Sequence, residues 1–114
     1  MRIERRTRVE ISIPVRSDLA NYQLALDWLA DDLAFSRGGV TITTPFSGLF
    51  LSSGRSELIS DAIRIVFCDF ELDLENSHQQ NELLEYLETT KAFLIEMLQE
   101  EEIWVVYYAI NRVS

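Results

Sequence analysis

The sequence predicts an α+β domain of four strands and two amphipathic helices. Three observations lead there. Residues 8–15 (RVEISIPV) alternate strictly, two later segments carry apolar residues at helical three and four spacing, and the segments follow the order strand, helix, strand, strand, helix, strand. A chain of 114 residues is near the commonest domain size and buries roughly two thirds of its unfolded surface, so a single core over 1–114 is expected.

In the first strand Val9, Ile11, Ile13 and Val15 share one face, and Arg8, Glu10 and Ser12 the other. Ser17 or Asp18 offers a cap for a helix whose stripe is Leu19, Tyr22, Leu26, Leu29 and Leu33, and Gly38 and Gly39 supply the backbone freedom that stops it. The stretch GGVTITTPFSGLFLSSG (38–54) then poses a choice between a phosphate-cradling loop and a strand. A phosphate loop needs a lysine before its Ser or Thr and a helix behind it, and both are missing, so Val40 to Leu51 read as an edge strand bent or bulged at Pro45 to Gly48. SSGRS (52–56) reads as a turn.

AIRIVFCDFEL (62–72) is apolar at nearly every position through Phe70, as in a central strand covered on both faces. SHQQ (77–80) has the form of a capping box with Ser77 as cap, and opens a long helix whose stripe is Leu83, Leu84, Leu87, Leu94, Met97 and Leu98, widened by Tyr86, Phe93 and Ile95. IWVVYYAI (103–110) is a last strand with apolar residues on both faces. This βαββαβ order resembles the ferredoxin-like plait, an antiparallel four-stranded sheet with two helices on one face. In that arrangement the first and third strands are central and the second lies at an edge, which suits Pro45 and the two-faced strand at 62–72. The resemblance is one of element order and brings no functional motif.

Composition narrows the function. At 47% hydrophobic and 25% charged residues the chain is globular, and its apolar runs are too short to cross a bilayer as a helix. The basic start MRIERRTR leads into strand residues and not into a signal core, so the expectation is an unprocessed cytoplasmic protein. A net charge of −9 opposes nucleic-acid binding. Arg2, Arg5, Arg6 and Arg8 gather at the start, read as a flexible or edge-strand terminus kept soluble by charge, or as a docking arm for an acidic partner. Carboxylates crowd the second half, read as the solvated face of the long helix. Cys68, the only cysteine, lies in a strand pattern and can form neither an internal disulfide nor a cysteine-based zinc site.

No nucleophile system is signalled, since the lone His78 sits at an exposed helix start. Asp69, Glu71 and Asp73 alternate on one strand face, a pattern able to hold a hard divalent cation, although acids at a strand's exit from the core give the simpler reading; no metal or other cofactor is expected. Arg37 with Ser52, Ser53, Arg55 and Ser56 is a candidate anion site, by guanidinium and turn amides. The leading expectation follows from the sheet. Helices cover one side, yet the third and fourth strands are apolar on both, so a partner covers part of the second side. The expected partner is a second copy, with Phe70, Trp104, Val106 and Tyr108 as interface anchors; a different protein or a small apolar ligand are the other occupants considered. The reading is thus a homodimerising binding or assembly module without catalytic apparatus. Two alternatives accompany it: a dimeric enzyme acting on a small apolar or aromatic substrate without metal or nucleotide, and a small-anion sensor.

Overall fold

The computed structural model describes residues 1–51 and 58–114. Among them run β1 (Ile3–Pro14), α1 (Tyr22–Arg37), β2 (Thr41–Ile42), β3 (Phe46–Leu51), β4 (Leu58–Phe70), α2 (Ser77–Leu98) and β5 (Val105–Val113). All pairings are antiparallel, in the order β2, β4, β1, β5, with β3 also on β4.

The sheet has five strands where four were expected, and a local slip explains the difference. Thr41 and Ile42 pair with Phe67 and Val66, whereas Phe46 to Leu51 pair with Ile63 to Leu58, so 43–45 face only Arg64 and Ile65. The extra residue is a bulge at the expected proline, and it divides one edge strand into β2 and β3. The bulge is held by side chains. Thr43 Oγ1 accepts from Ile65 N–H at 2.9 Å, and Arg64 Nη1 donates to the Thr43 carbonyl at 3.2 Å.

Other boundaries shift for equally local reasons. β1 begins at Ile3 because the arginine-rich segment pairs with β5 out to Val113; β4 ends opposite Thr7, so Arg5 and Arg6 lie on an extension of β1 that has β5 as its one neighbour, and Arg8 lies where β1 is flanked on both sides. Residues 16–21 form turns, with Leu19 N–H on Arg16 O and Tyr22 N–H on Leu19 O, so α1 starts at Tyr22 and neither Ser17 nor Asp18 caps it. It ends as expected at Gly38, left-handed at φ 88°, whose N–H donates to Ala34 O. The α2 cap is Asn76, not Ser77: Asn76 Oδ1 accepts from Gln79 N–H at 3.1 Å, while Gln79 Oε1 accepts from Asp73 N–H. The expected turn at Ser52–Ser56 lies outside the described residues.

One core joins the layers. Val9, Ile11 and Ile13 of β1, Val66, Cys68 and Phe70 of β4, and Ile103 meet Leu29 and Leu33 of α1 and Leu83, Leu87, Leu94 and Leu98 of α2. Each such side chain contributes about 1.5–3 kcal/mol by leaving water. Both helices therefore lie on one face of the sheet. They run antiparallel, since Trp28 packs against Phe93 with the rings tilted (centroids 4.3 Å) while Asp32, one turn on, accepts a hydrogen bond from Tyr86, about two turns earlier in α2.

Candidate functional site: the open sheet face and the last strand

Strand register fixes what the uncovered face displays. Across β5, β1 and β4 the rows run Tyr108–Arg8–Asp69 and Val106–Glu10–Phe67, followed by Ser12 beside Ile65 and Pro14 beside Ile63, with Phe46 beyond Ile63. A polar strip thus crosses the middle of the sheet between two apolar flanks. Arg8 donates to both carboxylate oxygens of Asp69, at 2.7 and 2.9 Å, and its guanidinium lies 5.0 Å over the Phe67 ring. Tyr108 donates its hydroxyl to Glu10 at 2.7 Å. Arg6 pairs with Glu4 at 2.7 Å and Glu71 at 3.3 Å. These exchanges have the expected electrostatic signs. Arg8 holds the Asp69 carboxyl below the usual range, and the bond to Glu10 raises the Tyr108 hydroxyl.

Of the anchors expected from the sequence, Trp104 is 65% exposed, and Val106 and Tyr108 are exposed beside it on the open face. Phe70 is placed elsewhere. It is fully buried on the helix-covered face, with Tyr86 against it at 5.9 Å and the Arg37 guanidinium over its ring at 4.3 Å, so it is no anchor of the open face. The parity of β4 is the reason: Phe70 pairs with Thr7, in line with Val9 and Ile11, and the neighbouring Asp69 takes the outward position. The open-face apolar residues of β4 are Ile63, Ile65 and Phe67, which the sequence shows only as part of a segment apolar at nearly every position.

Arg37, expected at an anion site, closes the end of the core over Phe70 and Tyr86; Ser52, Ser53, Arg55 and Ser56 lie outside the described residues. The Asp69, Glu71 and Asp73 cluster does not assemble. Asp69 is engaged by Arg8, Glu71 by Arg6, and Asp73 Oδ1 accepts from Glu75 N–H at 3.0 Å; among the described residues no group of three or more His, Cys, Asp or Glu is placed to hold a metal ion. Cys68 is buried, its Sγ 3.0 Å from the Gly39 carbonyl, and burial pushes the thiol up to about 11. A shallow cleft of about 280 Å³ opens beside β5, lined by Lys91, Glu102, Trp104, Val105 and Val106.

The edge of β5 carries a second kind of potential. Arg2 and Ser114 exchange both backbone hydrogen bonds (3.0 and 2.8 Å), and Ser12 N–H donates to Trp104 O at 2.9 Å, so the even-numbered residues of β5 bond to β1. The ladder alternates, so the N–H and C=O groups of Val105, Tyr107, Ala109, Asn111 and Val113 point away from the sheet. This nine-residue edge contains one charged side chain, Arg112. The chain matches no known protein family, curated protein or solved structure. Among the described residues, no helix is long and apolar enough to cross a membrane.

Proposed function

We propose that this chain is a binding and assembly module that forms a homodimer through the last strand and the apolar flank beside it, without catalysis of its own. The edge of β5 carries this reading. Exposed edges of this length are normally blunted by charge, proline or a covering element, and this one presents five consecutive outward backbone pairs. A second β5 in antiparallel pairing satisfies them. The register that uses all five sets Ala109 opposite its own copy, with Val105 opposite Val113 and Tyr107 opposite Asn111. On the open face Tyr108 then meets Ile110 and Val106 meets Arg112, so the two Arg112 side chains never face each other. Local charge does not oppose the contact, because Arg6, Arg8 and Arg112 on this face are balanced by Glu4, Glu10 and Asp69.

The same reading treats the architecture as a ferredoxin-like plait, with β2 and β3 as its one divided edge strand. Element order and the lateral order of edge, β4, β1, β5 support it. The test is light scattering with size-exclusion chromatography over a dilution series, for wild type and for Trp104→Asp. A dimer that persists on dilution in wild type and dissociates in the variant supports the proposal. A wild-type monomer at every concentration overturns it.

A further inference from the structure

The helix layer, on the opposite side of the molecule from β5's open face, carries its own unpartnered surface. The buried stripe of α1 is Tyr22, Ala25, Leu26, Leu29 and Leu33, yet Leu24 is 63%, Trp28 41% and Phe35 90% exposed. At 100° per residue these three fall within a sector of about 40° on the outer side of α1. Leu24 and Phe35 are eleven positions apart, about 16 Å along the axis, or about three helical turns. Trp28 is already immobilised by Phe93 of α2, so it can act as an anchor with little further loss of side-chain freedom.

The surroundings are of one sign. The two helices carry Asp27, Asp31, Asp32, Glu82, Glu85, Glu88 and Glu96 against two bases. Both bases are engaged, Arg37 over Phe70 and Tyr86, and Lys91 with Glu102. Asp27 and Asp31 border the stripe on α1. Across the junction, the outward rows beside Phe93 hold Glu82 and Glu96, all four being exposed. We infer that this surface docks a basic amphipathic helix of another protein, its apolar residues at i, i+4 and i+11 spacing on Leu24, Trp28 and Phe35 and its lysines or arginines against the acidic rim. Length, exposed aromatics and charge specify the same occupant. A second copy of this chain is disfavoured there, because its helices would bring seven further carboxylates.

Titration calorimetry of the full chain with a 14-residue leucine–lysine peptide, leucines at helical spacing, tests the inference. The expected result is saturable binding with a Kd on the order of 10 µM at low salt, weakening as salt rises. The double variant L24S/F35S keeps every carboxylate and is expected to bind at least about tenfold more weakly, with an unchanged far-ultraviolet circular dichroism spectrum. Three results would each overturn it: no saturable heat with wild type, equal affinity for the double variant, or equal affinity for a leucine–glutamate peptide of the same pattern. Oligomeric state, read by light scattering on both proteins, keeps this outcome separate from the fate of the β5 dimer.

Discussion

Ala109→Pro separates the edge of β5 from every other surface on which this chain can self-associate. The Ala109 N–H points away from β1, so proline there removes no ladder hydrogen bond, and proline is tolerated on an edge strand whose N–H faces outward. The monomer should therefore unfold within about 1 kcal/mol of wild type. In the proposed dimer, Ala109 opposite its own copy would exchange two N–H···O bonds, and both would be lost when both chains carry proline. At about 1 kcal/mol for each bond, with a further 1–3 kcal/mol for carbonyls left unpaired, the loss is roughly 3–5 kcal/mol. That corresponds to a Kd weakened by about 100-fold or more. Sedimentation equilibrium over a dilution series measures the association, and urea denaturation of the dissociated chain measures the fold. Tyr108→Pro is the control: the Tyr108 N–H bonds to β1, so this variant should lose stability as a monomer. A dimer whose Kd is unchanged by Ala109→Pro would refute edge pairing and leave contact through the sheet face as the explanation.

Two further predictions concern the interior and the polar strip. Asp69→Asn should lower stability by about 1–2 kcal/mol at neutral pH, since it removes a charged, partly exposed, bidentate partner of Arg8. Arg8 stabilises the ionised Asp69 carboxylate and thereby lowers its folded-state pKa, so this contribution is present above the unfolded value of about 3.9 and is lost as pH falls through the lower folded value. The difference between wild type and variant should therefore shrink as pH falls below the unfolded value of about 3.9 in urea titrations, and a difference that stays constant through acid pH would contradict the ion pair. The Cys68 thiol, pushed up to about 11 by burial, should react with a disulfide reagent at pH 8 only as fast as the chain opens. Labelling at the rate of a free thiol would show that the core around it is open.

Periodicity made much of the fold readable in advance. Strict alternation located β1, the leucine stripes located both helices, and Pro45 with Gly38 marked a bent edge and a helix stop. Two kinds of error came from signals that periodicity does not contain. Where apolar residues fill nearly every position the pattern leaves the facing of each undetermined, so the sequence could not tell that Phe70 points to the helices and Phe67 away from them; the pairing of Thr7 with Phe70 decides it. Arg64 shows the same limit, a cation on the helix-covered side of β4 whose partner is a bulge carbonyl. The α2 cap slipped by one residue to Asn76, because Asn and Ser are interchangeable as local acceptors and the preceding turn selects between them, and α1 starts several residues late because backbone turns at Leu19 and Tyr22, with no side-chain cap, lead into it. At the proposed sites, Trp104, Val106 and Tyr108 were legible from their exposed parity on a two-faced strand. The second stripe of Leu24, Trp28 and Phe35 was overshadowed by the stronger buried stripe beside it, though its four- and seven-residue steps are visible once the first is set aside.

The divided edge at β2 and β3 bears on how far such an assembly can grow. A sheet with two clean edges can add copies without end, each new subunit offering the next a fresh ladder. Here the far edge changes register at residues 43–45 and includes Pro45, which has no N–H to donate, so it is a poor template for a nine-residue strand running straight. Pairing through β5 uses up the good edge on both subunits at once, and what remains on either side is the broken one. Association of the proposed kind would close at two, with the bulge barring the far edge from seeding a fibre.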